Sequence, residues 1–458
     1  MKRFPFVTAL LALIALTFTA CGGGSSTSST GGGTQDAQAQ VFVTGEDAPV
    51  TSVVSFYITI NSITLNNSSS TVTVLSQPTT VDFGRLIGLR SLLGFNTVTP
   101  GTYTSATFTL ANPVIYDVDM TTNPPSLASM NGTLTNSTVT VAFPSGSPLT
   151  VGKNGLAGLH LDFDLRQSLA VDGNGQITGS LNPNIDIMAV SASDELGQIT
   201  DFTGSVLSVS TSANTFMVQG PYGFQEVIDT NSQTVFNGTY TLASLPVNGI
   251  VCVEGTVQAD GSIMASGVEV ITTDKAFISG WILAINPGPT VTMFVGEELP
   301  NLSPNIPVDT VYTVDLSAVT QYDVCFFDNW FSQQLFNGST LVVGQRIFVG
   351  GTAQSGTFTP DMVSLRRQGV IGSLVGNSVS IIGGNVGSFQ MQNDLLMSYA
   401  AGGPFTVNTG AGTIFENING LTGLQSAGAA NLVVRGLVFK DLNTGKPVVW
   451  AHRVRVLQ

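Results

Sequence analysis

The sequence predicts an all-β protein, with an N-terminal β-sandwich followed by three small β-barrel-like or curled-sheet modules. Three observations carry this expectation. Of 458 residues, 51 are glycine and only 10% are charged, while Thr, Ser, Val and Asn abound, a composition of strands joined by tight turns. Apolar and polar residues alternate with period two over long stretches, as half-buried strands require. The C-terminal two-thirds repeats a pair of strand signatures three times. The length suits several domains of about 100 to 200 residues each.

The N-terminal elements come first. Lys2 and Arg3 precede an apolar run, Val7 to Phe18, that is too short for a comfortable membrane span of about 20 residues and reads as an export signal. Phe18-Thr19-Ala20-Cys21 resembles the bacterial lipobox, with Phe18 in place of the usual leucine. That resemblance implies a signal peptide over residues 1–20 and a lipid attached to Cys21, which becomes the first mature residue. Residues 21–40 are then a Gly/Ser-rich and polar tether, whose flexible reach is roughly 25 Å. Acyl chains at about 0.8 kcal/mol per buried methylene would hold the protein to a membrane without a transmembrane helix.

From Val41 the pattern is strand-like. In Val53 to Leu65, "VVSFYITINSITL", the alternation sets Phe56, Ile58, Ile60 and Ser62 on one face and Tyr57, Thr59, Asn61 and Ile63 on the other. "TPGTYTSATFTL" repeats the theme, with Pro-Gly as a turn. Asp82 to Gly94, "DFGRLIGLRSLLG", has the helical spacing of Phe83, Leu86, Ile87 and Leu89 and is expected to form a short helix. "EDAPV", "SQPTTVDFGRLIGLRSLLG", "VTPGTYTSATFTLANPVIY" and "GLAGLHLDFDLRQSLAVDGNG" follow one another as in domain of unknown function family 4382. This resemblance covers residues 41–196 and implies a β-sandwich on exported, often lipid-anchored bacterial proteins, with no catalytic residue to carry over.

The remainder is repetitive. "DFTGSVLSVSTSANTFMVQG" is echoed by "AFISGWILAINPGPTVTMFVGE" and more loosely by "QGVIGSLVGNSVSIIGG". Each copy closes with a second signature, "LPVNGIVCVEGT", "LVVGQRIFVGGT" and "AGAANLVVRGL". The modules are expected at residues 200–275, 276–367 and 368–458, each a curled sheet or barrel of five or six strands. They resemble domain of unknown function family 5666, another exported family, best in the first two copies.

Candidate sites were weighed against packing. His160, Asp162 and Asp164 in "HLDFDL" share one strand face, expected to be solvated, with Leu161, Phe163 and Leu165 facing the core. Same-face neighbours about 7 Å apart chelate one ion poorly, and no metal site is expected. Asp117 and Asp119 read the same way, and Asp172 to Gly175, "DGNG", as a hairpin turn rather than a calcium loop. The second module carries an insertion, "DVCFFDNWFSQQL", with Phe326, Phe327, Asp328, Asn329, Trp330 and Phe331. Aromatic faces rimmed by carboxylates and amides suit a sugar ring, while packing in a seam between modules is the competing reading. Cys252 and Cys325 are either bridged, tying the first module to that insertion, or buried thiols.

A formal net charge of -14 with only 15 Lys and Arg argues against nucleic acid as a partner. No nucleophile, zinc or phosphate-loop motif is present, which leaves a carboxylate pair of glycosidase type as the one catalytic alternative. The expectation is a noncatalytic, cofactor-free binding or adhesion protein. It is exported and lipid-anchored to the bacterial envelope at the outer membrane. Its partner is a glycan, with a structural spacer binding other envelope proteins as the alternative.

Overall fold

The computed structural model describes residues 38–458, apart from 49–51, 174–175, 221–223, 274, 300–305, 328–335, 355–356, 393–399 and 458. Residues 1–37, with the signal, Cys21 and most of the tether, lie outside the described residues. The first strand, Ala39–Ala48, starts two residues before the expected sandwich boundary because Ala39 and Val41 are already buried in the core.

The first domain is a sandwich of two sheets. One runs in the order Ile185–Val190, Leu156–Asp164, Ala39–Ala48, Ser91–Val98; the other places Val53–Asn66 between Ser105–Asp119 and the Thr71–Leu75 and Thr79–Asp82 strands. The expected face of Phe56, Ile58 and Ile60 is buried, but Ile63 and Leu65 are buried too. The register against Ser105–Asp119 slips between Ile60 and Ser62, and this bulge reverses the alternation. The expected helix over Asp82 to Gly94 is not formed. One 3-10 turn, Phe83–Arg85, is followed by Gly88 at φ +61°, which a right-handed helix cannot contain, and then by Ser91–Val98 pairing with Ala39–Ala48. Phe83, Leu86, Ile87 and Leu89 are nevertheless all buried.

Each later module is one curled sheet. The first runs Gln225–Asp229, Thr215–Gln219, Gln198–Ser210, Ile250–Val257, Ile263–Thr272, and its edges meet only through Ile228 with Ile263 and Asp229 with Met264. The third curls likewise, with a short contact of Ser373 with Gln392 and Leu374 with Met391, and adds the helix Gly420–Ala427, which buries Leu421 and Leu424. The second, built around Ala276–Ile285 and Arg346–Gln354, stays open. These are curled sheets, not closed barrels. The repeated closing signature has a physical reason. At Gly255, Gly351 and Gly436 the register of a hairpin slips, and a Cβ would stand 2.3, 2.2 and 2.1 Å from a carbonyl oxygen of the facing strand. Only glycine lets the strands approach there, and the bulge curls the sheet.

The four domains are packed against one another in every pairing. Phe42 and Leu92 of the sandwich enter the core of the first module, and Val54 and Val118 meet Leu283 and Phe294 of the second. Ile250 of the first module packs with Phe277 and Phe348 of the second, while Leu437 and Phe439 of the third share the second module's core. Polar contacts complete the other two seams: Arg435 of the third module reaches Glu254 of the first, and Arg455 reaches Glu46 of the sandwich.

Candidate functional site

The charges of this charge-poor chain are gathered inside it. Among the described residues, Arg85, Arg90, Arg346, Arg366, Arg367, Arg435, Arg453 and Arg455 form ion pairs with glutamates. Glu46 takes Arg455 at 2.8 Å and stands 3.7 Å from Arg90. Arg453 pairs with Glu195 at 2.6 Å and with Glu416. Glu254 joins Arg367 and Arg435, so that one carboxylate ties three modules at 2.5 and 3.0 Å. Arg85 and Arg346 converge on Glu297 across the sandwich and second module. Arg366 and Glu269 form a buried bidentate pair at 3.0 and 2.8 Å, with the guanidinium 4.6 Å over the Phe348 ring.

This hub overturns the solvated face expected for "HLDFDL". His160 is 1% exposed, and Asp162 is shielded as well. The Leu156–Asp164 strand has Ala39–Ala48 on one side and Ile185–Val190 on the other, in a register that sets Glu46, Asp162 and Asp186 in one row. Burial, then the charge of Glu46, raises the Asp162 carboxyl to about 7, and burial lowers His160 to about 4. Leu161, Phe163 and Leu165 do face the core. Asp119 is exposed and holds Thr121 in a turn, whereas Asp117 is partly buried, with Oδ1 lacking a hydrogen-bond partner. Asp172 anchors the expected hairpin turn through Gln176, although Asn174 and Gly175 lie outside the described residues.

The aromatic insertion divides. Asp328, Asn329, Trp330 and Phe331 lie outside the described residues. Phe326 and Phe327 are half-buried, 5.6 Å apart edge to face, and Phe327 sits against Gly267 of the first module and beside Arg367. Phe327 thus sits at the seam between the first and second modules. Cys252 and Cys325 are buried thiols with no disulfide between them. They nonetheless meet around one group. Cys252 is the register partner of Glu269, and the Cys325 thiol points to the same carboxylate at 3.8 Å. Glu269 is also bonded by Arg366 and by the Phe326 amide. Among the described residues no group of three or more His, Cys, Asp and Glu is arranged to hold a metal ion, and no helix is long and apolar enough to cross a membrane.

Two clefts open at the seams. One, of about 550 Å³, lies between the sandwich and the first module. Its aromatic wall is Phe95, packed over Gly261 at φ +93°, together with Phe224, which is 42% exposed. Gln77, Gln225, Glu226 and Asp260 surround these rings. Burial raises Glu226 to about 7, while hydrogen bonds from Ser262 lower Asp260, so the cleft offers both a protonatable and an ionised carboxyl. The other, of about 1270 Å³, lies between the sandwich and the third module and is lined by acids. Sequence reasoning missed both, because their walls come from segments far apart in the chain.

The fold and these seams define a multidomain all-β protein of unknown chemistry. Residues 38–183 match the family Domain of unknown function (DUF4382), which takes in the sandwich apart from its edge strand Ile185–Val190 and agrees with the resemblance seen in its motifs. No curated protein matches the chain.

Proposed function

We propose that this is a noncatalytic binding or adhesion protein of the bacterial envelope, exported, anchored to the outer membrane through a lipid on Cys21, and directed at polysaccharide. The lipobox resemblance and the resemblance of the repeats to domain of unknown function family 5666 support export and anchoring. The observation that carries glycan binding is the cleft of about 550 Å³, where the rings of Phe95 and Phe224 stand among Gln77, Gln225, Glu226 and Asp260. An apolar ring face takes the C–H face of a sugar, and amides and carboxyls take its hydroxyls. This reading sets the site at the first seam rather than at the insertion, of which residues 328–331 lie outside the described residues. The test is binding of the full chain to an array of bacterial polysaccharides, comparing the wild type with Phe224→Ala. A glycan class bound by the wild type and lost in the variant supports the proposal, and uniform failure to bind by the folded protein overturns it.

A second reading, a structural spacer or assembly partner, is favoured by the ion pairs that join the modules. A rigid body is what a spacer needs. Co-purification of a defined envelope protein, without glycan affinity, would establish this reading instead.

A further inference from the structure

The cleft between the sandwich and the third module has a different chemistry from the first. Asp162, Asp164, Asp186, Asp194, Glu195 and Glu416 line it, against Arg166 and Arg455. Several of these acids are already engaged: Asp164 caps Gln167, Asp194 holds Ser191, and Glu195 and Glu416 share Arg453. Acids alone would not make a site. The second observation is a set of buried acceptors in the same wall that lack hydrogen-bond partners, Asp162 Oδ1 and His160 Nε2, with Glu46 Oε2 behind them.

The state of His160 follows from its neighbour. The Thr44 hydroxyl donates its one proton to the Leu196 carbonyl at 2.9 Å, so it accepts from His160 Nδ1 at 3.1 Å. Nδ1 therefore carries the proton. With the ring neutral, Nε2 presents a bare lone pair, 3.8 Å from Glu46 Oε2. These unpartnered acceptors ask for a donor with positive charge, beside an Arg455 that is already paired with Glu46.

Spacing decides which donor. Asp162 and Asp186 are register partners on neighbouring strands, about 5 Å apart at Cβ, and Asp164 lies about 7 Å further along the same face. Between the acids are apolar surfaces of Met188, Val190, Ile371 and Val456, with Met188 38% exposed. Carboxylates separated by apolar surface suit ammonium groups separated by methylenes. We propose that this cleft binds a linear aliphatic polyamine, with Asp162 and Asp186 as the principal partners of one ammonium group.

Asp162 also supplies a signature that diffuse attraction to an acidic surface lacks. Burial, with Glu46, Asp164 and Asp186 facing it and only Arg455 opposing, holds its carboxyl at about 7. An ammonium group seated there favours the ionised form and expels the proton. The experiment is calorimetric titration of the full chain with spermidine at near-neutral pH, in buffers of different ionisation heat. Asp186→Asn, on an exposed side chain, is compared alongside Asp162→Asn. The expected result is one site with net proton release and an affinity at least about tenfold weaker in either variant. Proton release should fall in Asp162→Asn, with Glu416 of the same cleft, raised to about 8, supplying any remainder. Failure to bind overturns the proposal. So does binding that Mg²⁺ displaces at equal concentration, binding unchanged in both variants, or binding of a lysine peptide but not of spermidine. None of these outcomes touches the aromatic cleft.

Discussion

Replacing Glu269 by Gln tests the hub at its buried bidentate pair. Glu269 lies on Ile263–Thr272 of the first module, and Arg366 follows the Thr357–Leu365 strand of the second. Arg366 and Glu269 have side chains 2% and 7% exposed, and two hydrogen bonds of 3.0 and 2.8 Å join them. Gln keeps the shape, and its carbonyl can still accept the Phe326 amide that Glu269 now takes at 3.1 Å. What it removes is the charge, leaving a buried guanidinium unpaired, a loss of about 3 to 5 kcal/mol. Urea unfolding followed by intrinsic fluorescence measures it, with the wild type unfolding in a single transition because the modules share cores and ion pairs. Glu269→Gln should lower the midpoint by that free energy or split the transition in two. The double variant Glu269→Leu with Arg366→Met should recover most of the loss, since apolar residues of similar volume often replace a buried pair at little cost. A loss below about 1 kcal/mol, or a double variant as unstable as the sum of the singles, would refute the reasoning.

Gly369→Ala should disrupt the junction of the third module with the sandwich, because its Cβ would stand 1.9 Å from the Ile87 carbonyl oxygen; calorimetry should show a loss of about 2 to 4 kcal/mol. Stability should fall between about pH 5.5 and pH 8. Asp162, Glu226 and Asp309 are held at about 7, chiefly by burial, against unfolded values of 3.8 to 4.5, so the folded chain binds protons that the unfolded chain has released. Their contribution is complete below the unfolded values and is lost as pH rises through about 7. His160, lowered from 6.5 to about 4, acts in the opposite sense between those values, but it stands against Asp162, Glu226, Asp309 and also Glu416, which burial first raises to about 8. A thermal midpoint no lower at pH 8 than at pH 5.5 would contradict this assignment. Phe327→Ala should cost about 1 to 2 kcal/mol by opening the seam over Gly267, and it should leave glycan binding intact.

The parts of this molecule that follow from local pattern were legible in the sequence. Period two marked the strands, among them Gln198–Ser210, Ala276–Ile285 and Gln368–Leu374. The glycines of the closing signature were visible as a repeat, although their cause, a facing carbonyl, needs the partner strand. The "HLDFDL" face was misread because its cover arrives from the far end of the chain: Arg455 bonds Glu46 across 409 positions. Nothing near Glu46 announces that arginine. The helix over Asp82 to Gly94 failed for a similar reason, since Ser91–Val98 is claimed by a strand that lies some fifty residues earlier. Both clefts are products of domain packing, and a sequence read segment by segment does not contain them.

The measurement that bears most directly on the account is glycan binding by the purified full chain, wild type against Phe224→Ala and Phe327→Ala, with folding of each checked by circular dichroism. The account predicts that at least one polysaccharide is bound by the wild type and by Phe327→Ala and is lost in Phe224→Ala. Binding that survives Phe224→Ala but is lost in Phe327→Ala would return the site to the insertion and contradict it.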